Sequence, residues 1–540
     1  MNLPATNGRP PGGKQGRGTQ NDRMFAQSLG ILSATLRMAA GGYCMPTNPT
    51  IFTSPHGRIA FMLGRIFKAY DVRGTYPDLL NEGLAWQIGY GASKYLLSDA
   101  AAGGETSPMM KNIVVGRDMR ASSPGLTKAL IKGISDQGGN VIDIGMVDTS
   151  MIYFAVNHLD CAGGIMVTAS HNPPNYNGFK VSKRKAKPVG EATGLGEIRK
   201  QAAMVDKATM VPAHGRVETR DLWQAYNKHV RSFLDIKGKK LKIVIDGSNG
   251  MAGTMIPKVF GKESPLGAYP GLEIIPINFE NTKNVFVHEP NPLVAANMKW
   301  TQDAVLKHKA DAGFCYDGDA DRCMAVDEKG KIVGCDLLTG LLARHFLDKE
   351  PESAIAYDLR STKAVAEEIT KHGGKPIRGR VGHVFMKQAL ADSGAVFGGE
   401  LSGHFYFRDN FNADSGAIAM CTILTVLAHS SKTLSELIKP IARYSQSGEI
   451  NFSIEDKDGA IAAVKEFYGP ASEYQGAIDE LDGVTIDCFN NKTDHGGWWA
   501  NIRKSNTEPL LRLNLEAKDK KTLDKMLAEI GPKLGHQVEH

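Results

Sequence analysis

Nothing in this sequence is apolar for long enough to cross a bilayer. The most apolar stretch, Ala417 to Ala428, falls well short of the roughly 20 residues that a membrane helix needs, and it reads as a buried helix. A disulfide framework is lacking too. The seven cysteines (44, 161, 315, 323, 335, 421 and 488) are odd in number, scattered and without a CxxC pair, which points to reduced, buried thiols in a cytoplasmic protein. Nor is there a long block of one charge. Sixty-four Lys and Arg oppose 58 Asp and Glu for a net +6, but residues 1 to 62 hold six basic side chains (Arg9, Lys14, Arg17, Arg23, Arg37, Arg58) against Asp22 alone. Five of the six net charges therefore sit in that segment, and the remainder is nearly neutral. A general polyanion surface is excluded, so neither a nucleic-acid nor a membrane partner is expected; a local basic cleft for phosphate is still compatible.

What is present is an ordinary globular composition, 42% apolar and 23% charged over 540 residues, too long for one hydrophobic core. About four domains are expected. The first 62 residues are rich in Gly, Pro, Asn and Arg and lack sustained periodicity; they are read as an extension outside the fold, with a transit peptide, an upstream start or a disordered tail all open. From MLGRIFKAYDVRG onward a strand, loop, helix, strand pattern repeats. KNIVVG reads as a strand, Ser122 or Ser123 as a cap before Pro124, and GLTKALIKGISDQ as a helix stopped by Gly138 and Gly139. Further βαβ series begin at LKIVIDGSNGMAGTMIPKVF and at SAIAYDLR. The expected fold is α/β: three similar mixed domains over 63–215, 216–333 and 334–445, then a smaller α+β domain over 446–540.

Four polar loops each follow an apolar strand, where α/β sheets place ligands, and so are candidates for one central cleft. In GGIMVTASHNPPNYNGFK, Ser170, His171, Asn172 and Pro173 make a constrained turn, and Lys180 could reach back as an acid/base or phosphate ligand. A plain capped turn is an equal reading of that loop alone. AGFCYDGDADRCMAV carries Asp317, Asp319 and Asp321 at alternate positions, which in an extended segment share one side and form a hard oxygen cage suited to Mg²⁺. A solvated acidic turn and a calcium loop are the competing readings, the latter because Glu328 is twelfth in the count, but Arg322 stands where that loop needs glycine. VFGGELSGHFYF offers Glu400, Ser402 and His404 for sugar hydroxyls, with His383 and Lys387 nearby in sequence. WWANIRKSNTEPLLRLNLEA places Arg503, Ser505, Asn506 and Thr507 in a compact anion nest without a Walker glycine loop.

Taken together, KAYDVRG, TASHNPPNYNGFK, DGDADR, GELSGH and RKSNTEP resemble the α-D-phosphohexomutase superfamily, in its phosphomannomutase/phosphoglucomutase branch, over about residues 63 to 535. The resemblance implies four domains, the first three alike. It also implies a phosphoserine at Ser170, Mg²⁺ on Asp317, Asp319 and Asp321 together with that phosphate, and Arg322 assisting transfer. Tyr70, Arg73, His171, Asn172 and Lys180 resemble residues at the reacting end, and His383, Glu400, Ser402 and His404 a sugar-contacting set. Arg503, Ser505, Asn506, Thr507 and Arg512 resemble a clamp on the non-reacting phosphate. Three departures stand out: Arg360 where a lysine is usual, one acid in Asn412-Ala413-Asp414-Ser415 where two are common, and Ser150 where proline is common. They bear on substrate preference, because arginine and lysine are not equivalent at such sites.

The implied reaction transfers a phosphoryl group between O1 and O6 of a mannose or glucose phosphate, with a hexose 1,6-bisphosphate as intermediate and activator. The partner is a small phosphosugar, and the chain is expected to be a monomer or dimer. Phosphoglucosamine mutase is the alternative enzyme, though relatives acting on glucosamine typically read GEQSGH rather than GELSGH. A non-catalytic phosphosugar binder would not need three crowded carboxylates.

Overall fold

The computed structural model describes residues 55–104, 107–208, 210–492, 494–505 and 509–538. The expectation for the N-terminal extension therefore lies outside the described residues up to residue 54. A helix, Pro55–Ile66, straddles the boundary drawn at Met62. Its Leu63 and Ile66 are buried, and Ile59 and Met62 pack on the same apolar cluster.

Four sheets follow one another along the chain. The first runs Val72–Thr75, Tyr176–Lys183, Gly163–Val167, Asn112–Arg117, Asn140–Met146, Val217–Thr219, with Lys187–Pro188 beside Tyr176–Lys183. The second runs Ile332–Val333, Cys323–Asp327, Ala312–Tyr316, Leu241–Asp246, Leu272–Ile277. The third runs Lys375–Gly379, Ala354–Asp358, Phe397–Gly399, Phe405–Phe407, Ala413–Asp414. Each of these is parallel at its centre and gains an antiparallel partner on one side. The fourth, over Ser445–Ser453, Ala477–Asp479, Val484–Asp487, Trp498–Lys504, Leu511–Ala517 and His536–Val538, is wholly antiparallel. Three mixed α/β units and a smaller α+β unit thus match the expected fold class.

This topology explains where the chemistry sits. All four polar loops are hairpin connections, each leading from one strand into its own antiparallel neighbour: Val167 to Tyr176, Tyr316 to Cys323, Gly399 to Phe405, and Lys504 to Leu511. The two flanking strands hold both ends of each loop, so its side chains project from a fixed base.

The helix Ser123–Gln137 starts after Ser122, but the expected cap is not made: the Ser122 side chain makes no capping hydrogen bond and instead accepts from Asn177. The helix ends as expected at Gly138, which adopts φ +108°, a left-handed conformation that glycine enters without a Cβ clash. The apolar stretch is the helix Gly416–Ala428, with almost every residue buried. Six cysteines are described, all free and buried; burial raises the thiols of Cys161 and Cys488 to about 12. Cys44 lies outside the described residues. No helix among the described residues is long and apolar enough to cross a membrane.

Behind the first sheet, Glu82–Ala102 and Ser123–Gln137 cross at glycines. A Cβ on Gly133 would stand 2.0 Å from the Trp86 carbonyl oxygen, and one on Gly89 would stand 2.3 Å from that of Leu130. Backbone cannot yield as a side chain tip can. Gly133→Ala should therefore cost about 1–3 kcal/mol or more by overpacking, read as a lowered thermal midpoint. Gly64→Ala, in an exposed helical position with nothing within 4 Å, should leave the midpoint unchanged or raise it.

Candidate active site

Ser170 sits in the turn after Gly163–Val167 with φ +50°, a conformation that surrounding structure must impose on a non-glycine residue. Arg120 imposes it. This fully buried side chain uses all five of its N–H donors: Nε to Asp118, one terminal nitrogen to the carbonyls of Pro173 (2.6 Å) and Tyr176 (3.2 Å), the other to those of Ser170 (2.9 Å) and Asn172 (2.7 Å). Phe286, from the second domain, lies 5.5 Å from its guanidinium. Sequence reasoning missed Arg120; its one signal is a polar loop, RDMRASS, following a strand. Arg73 steadies the far side of the turn, donating to Asn172 Oδ1 (2.6 Å) and to Asp71.

The Ser170 hydroxyl donates to Asp317 Oδ2 at 2.6 Å, with His171 Nδ1 3.4 Å away. Burial, then Arg322 and Arg73, hold His171 well below its usual range, so the ring is neutral. The two loops meet backbone to backbone: a Cβ on Gly318 would lie 2.3 Å from the Ser170 carbonyl oxygen.

Asp317, Asp319 and Asp321 are buried, and one oxygen of each lies within 4.8 Å of the others. They do not converge by strand alternation, as the sequence suggested. The strand ends at Tyr316, residues 317 to 322 form a turn, and Ala320 takes φ +59°. Asp319 Oδ2 accepts from Thr149 Oγ1 (2.6 Å) and Lys180 Nζ (2.7 Å), and Asp321 Oδ2 accepts from the same ammonium (2.6 Å). The Oδ1 atoms of Asp319 and Asp321 are buried without a hydrogen-bond partner, with His404 Nδ1 3.9 Å from that of Asp321. Orphaned carboxylate oxygens converging in an all-oxygen set fit a hard divalent cation. Glu328 is not part of the set: it accepts from the backbone and hydroxyl of Ser435, which rules out its calcium-loop role.

Electrostatics divide the three acids. Burial, then Asp321 and Asp319, push Asp317 well up; burial acts the same way on Asp319, but Lys180 outweighs it and holds that carboxyl below the usual range. Burial opposes the Lys180 charge, yet Asp319, Asp321 and Asp317 together raise its affinity for the proton. Lys180 is thus held as a cation in this geometry.

Arg322 carries the site into the third domain. Its Nε–H donates to His404 Nε2 (3.1 Å), and His404 Nδ1 lies 2.7 Å from Asp414 Oδ2. The first bond requires a lone pair on Nε2, so the Nδ1–H of His404 donates the second bond to Asp414. Lys387 pairs with Asp414 Oδ1 at 2.8 Å and lies over the Tyr153 ring, away from a catalytic role. His383, kept neutral by burial and then Lys387, stands 5.7 Å from Tyr70 and 6.3 Å from His404, ring to ring. Glu400 accepts from Gly382 N–H (3.1 Å) and Tyr406 OH (2.7 Å); its remaining lone pairs can take a sugar hydroxyl. Ser402 Oγ is buried with no partner.

At the fourth loop, Arg503 and Arg512 are direct cross-strand partners, a pairing of like charges that needs an anion. Glu449, also missed in the sequence, supplies one, accepting from Arg503 at 2.7 Å and Arg512 at 2.8 Å. Burial would raise Glu449, but Arg360, Arg503 and Arg512 bring it down to about 2. Ser505 closes the hairpin through its N–H to the Leu510 carbonyl. Asn506 and Thr507 lie outside the described residues. Tyr70 joins the ends of the cleft: burial and then Asp482 raise its phenol, against Arg380 and Arg503 and with Glu400.

The chain matches the four family models described as phosphoglucomutase/phosphomannomutase, alpha/beta/alpha domain I over residues 64–208, domain II over 224–330, domain III over 335–444, and C-terminal domain over 449–532. It is 37% identical over 455 residues to a phosphomannomutase of Escherichia coli strain K12, covering 84% of this chain and 94% of that one. It is 38% identical over 457 residues to the phosphohexose mutases of Xanthomonas campestris pv. campestris strain B100, with 84% and 95% covered. A crystal structure of a phosphoglucomutase/phosphomannomutase family protein from Burkholderia thailandensis superposes with a TM-score of 0.74 at 27% identity, over 87% of this chain and 96% of that one. With a fold, four loops and relatives that agree along nearly its whole described length, the chain belongs to the phosphoglucomutase/phosphomannomutase family and is a phosphohexose mutase.

Proposed function

We propose that this mutase exchanges a phosphoryl group between O1 and O6 of mannose or glucose phosphate through phosphorylated Ser170 and a hexose 1,6-bisphosphate. The observation that carries the reading is the Ser170 hydroxyl, 2.6 Å from Asp317 in a loop locked by Arg120, beside two buried aspartate oxygens with no hydrogen-bond partner. A serine held only as a turn former has no use for such neighbours. The named activities of the Escherichia coli and Xanthomonas relatives support the phosphohexose class.

In the forward half-reaction the bond between phosphorus and Ser170 Oγ breaks while a bond to the free sugar hydroxyl forms. The hydroxyl proton must leave, and neutral His171 beside Ser170 Oγ is the group placed to exchange it. In the second half the sugar's other phosphate returns to Ser170 and the proton moves back. Lys180 and Arg322 hold positive charge where a transferring phosphoryl group develops its negative charge. Asp317, Asp319 and Asp321 would hold one Mg²⁺, which supplies further positive charge to the phosphate oxygens. Glu400, Ser402, His404 and His383 contact the sugar, and Arg503, Arg512, Ser505, Asn506 and Thr507 take the phosphate that is not reacting. Tyr70, Arg73 and Asn172 line the reacting end.

After incubation with glucose 1,6-bisphosphate, intact-mass spectrometry should show one added phosphoryl group, mapped to the peptide containing Ser170 and missing from Ser170→Ala. That variant should lose turnover of mannose 1-phosphate and glucose 1-phosphate by several orders of magnitude; full activity, or a phosphate mapped elsewhere, would refute the reading. A chelator should abolish turnover and added Mg²⁺ restore it, whereas Asp319→Asn should remain inactive at any Mg²⁺ concentration reached. Arg120→Lys offers at most three donors where five are used. It should slow Ser170 phosphorylation with little change in KM, a split that stopped-flow or quenched-flow kinetics will read.

A further inference from the structure

Two halves of the substrate site meet at Arg360, the position where a lysine is usual in the family. Its Nε (3.3 Å) and one terminal nitrogen (2.9 Å) donate to Asp358, and the same terminal nitrogen lies 3.5 Å from Glu400 Oε1. The other terminal nitrogen donates to Glu449 Oε2 at 3.3 Å. Asp358 also accepts the N–H of Leu401, inside the Glu400–His404 loop, at 2.6 Å. One guanidinium thus touches the sugar loop on one side and the carboxylate between Arg503 and Arg512 on the other.

We propose that Arg360 is a positioning residue that ties the sugar-recognition carboxylate Glu400 to the phosphate clamp through Glu449, setting the distance at which the two ends of a hexose phosphate are gripped. The inference rests on the clamp reading of Arg503 and Arg512. Glu449 acts as a template for the clamp and not as a stand-in for its phosphate. It takes one N–H from each of three guanidiniums, and Arg503 Nε is buried with no hydrogen-bond partner. Arg360 is also occupied by Asp358 and Glu400, so Arg503 and Arg512, which share one carboxylate, are the cations left to meet an incoming dianion.

Arginine is needed because the three carboxylates lie around the plane of one group. A lysine ammonium is a single point at the end of its chain and cannot serve Asp358, Glu400 and Glu449 at once. The strap is not what keeps the fourth domain attached. Lys363 pairs with Asp487 and its N–H donates to Glu516, Arg378 pairs with Asp479, and Val381 N–H donates to Asp482. Variants at Arg360 should therefore stay folded.

The test is a double-mutant cycle on Arg360→Lys and Glu449→Gln, with Arg503→Ala as reference. It measures kcat and KM for mannose 1-phosphate, the inhibition constant of inorganic phosphate, and the thermal midpoint. Each of the two variants should raise KM and weaken phosphate inhibition by about tenfold, the order for a charged hydrogen bond, with kcat falling much less. The double variant should be no worse than the more damaged single one, because both cut the same connection. If Arg503→Ala raises KM while Arg360→Lys and Glu449→Gln leave it unchanged, or if their effects simply add, the strap is wrong and the clamp stands. A lower inhibition constant for phosphate in Glu449→Gln would also overturn the proposal, making Glu449 a competitor. An unchanged KM in Arg503→Ala would instead sink the clamp reading itself.

Discussion

Three buried carboxylates around one serine hydroxyl are the constraint on which this structure turns. Left alone, such a group would be driven toward protonation by burial and mutual repulsion. Lys180 answers it from an adjacent strand of the first sheet, bonding Asp319 and Asp321, and Arg322 adds charge from the metal loop itself. The compensation is incomplete: Asp317 remains raised and two carboxylate oxygens remain without donors. The residual deficit would suit a divalent cation, and the first two domains meet backbone to backbone beside it at Gly318 and Ser170.

From that pair the charges run outward in alternation. Asp317 faces Arg322, Arg322 leans on His404, and His404 is set by Asp414, which Lys387 neutralises. Farther along, Glu400, Arg360 and Glu449 lead to Arg503 and Arg512. Such chains make the orientation of one side chain conditional on the next. Under the proposed function a sugar phosphate bound in two orientations would meet groups whose spacing these contacts have already set.

Much of the fold was legible because helices and strands obey short periods. The GLTKALIKGISDQ helix with Gly138 behind it and the apolar Ala417 to Ala428 stretch are local matters of side-chain spacing and caps. The polar loops were legible for a related reason: aspartates, histidine and asparagine crowded after an apolar strand conflict with a simple connector. Where the reading went astray, at the Asp317 to Asp321 segment, it extended a strand's alternation past Tyr316 into what is a turn. Lys180 was seen, but not that its charge would be pinned by carboxylates 139 and 141 positions away. Arg120 and Glu449 went unremarked because an isolated charged residue beside a strand looks the same whether it faces water or saturates a buried loop.

The sequence by itself determined the fold class, which follows from composition and local period, and its five loop motifs carried the resemblance to the family and marked candidate residues. Tertiary structure alone decided which atoms meet: the hydroxyl of Ser170 with Asp317, four donors of Arg120 with one turn, and a single carboxylate with three arginines. Those contacts join positions from 50 to 147 residues apart. Their protonation states and orientations depend on burial and on neighbours that only the folded chain brings within a few ångströms.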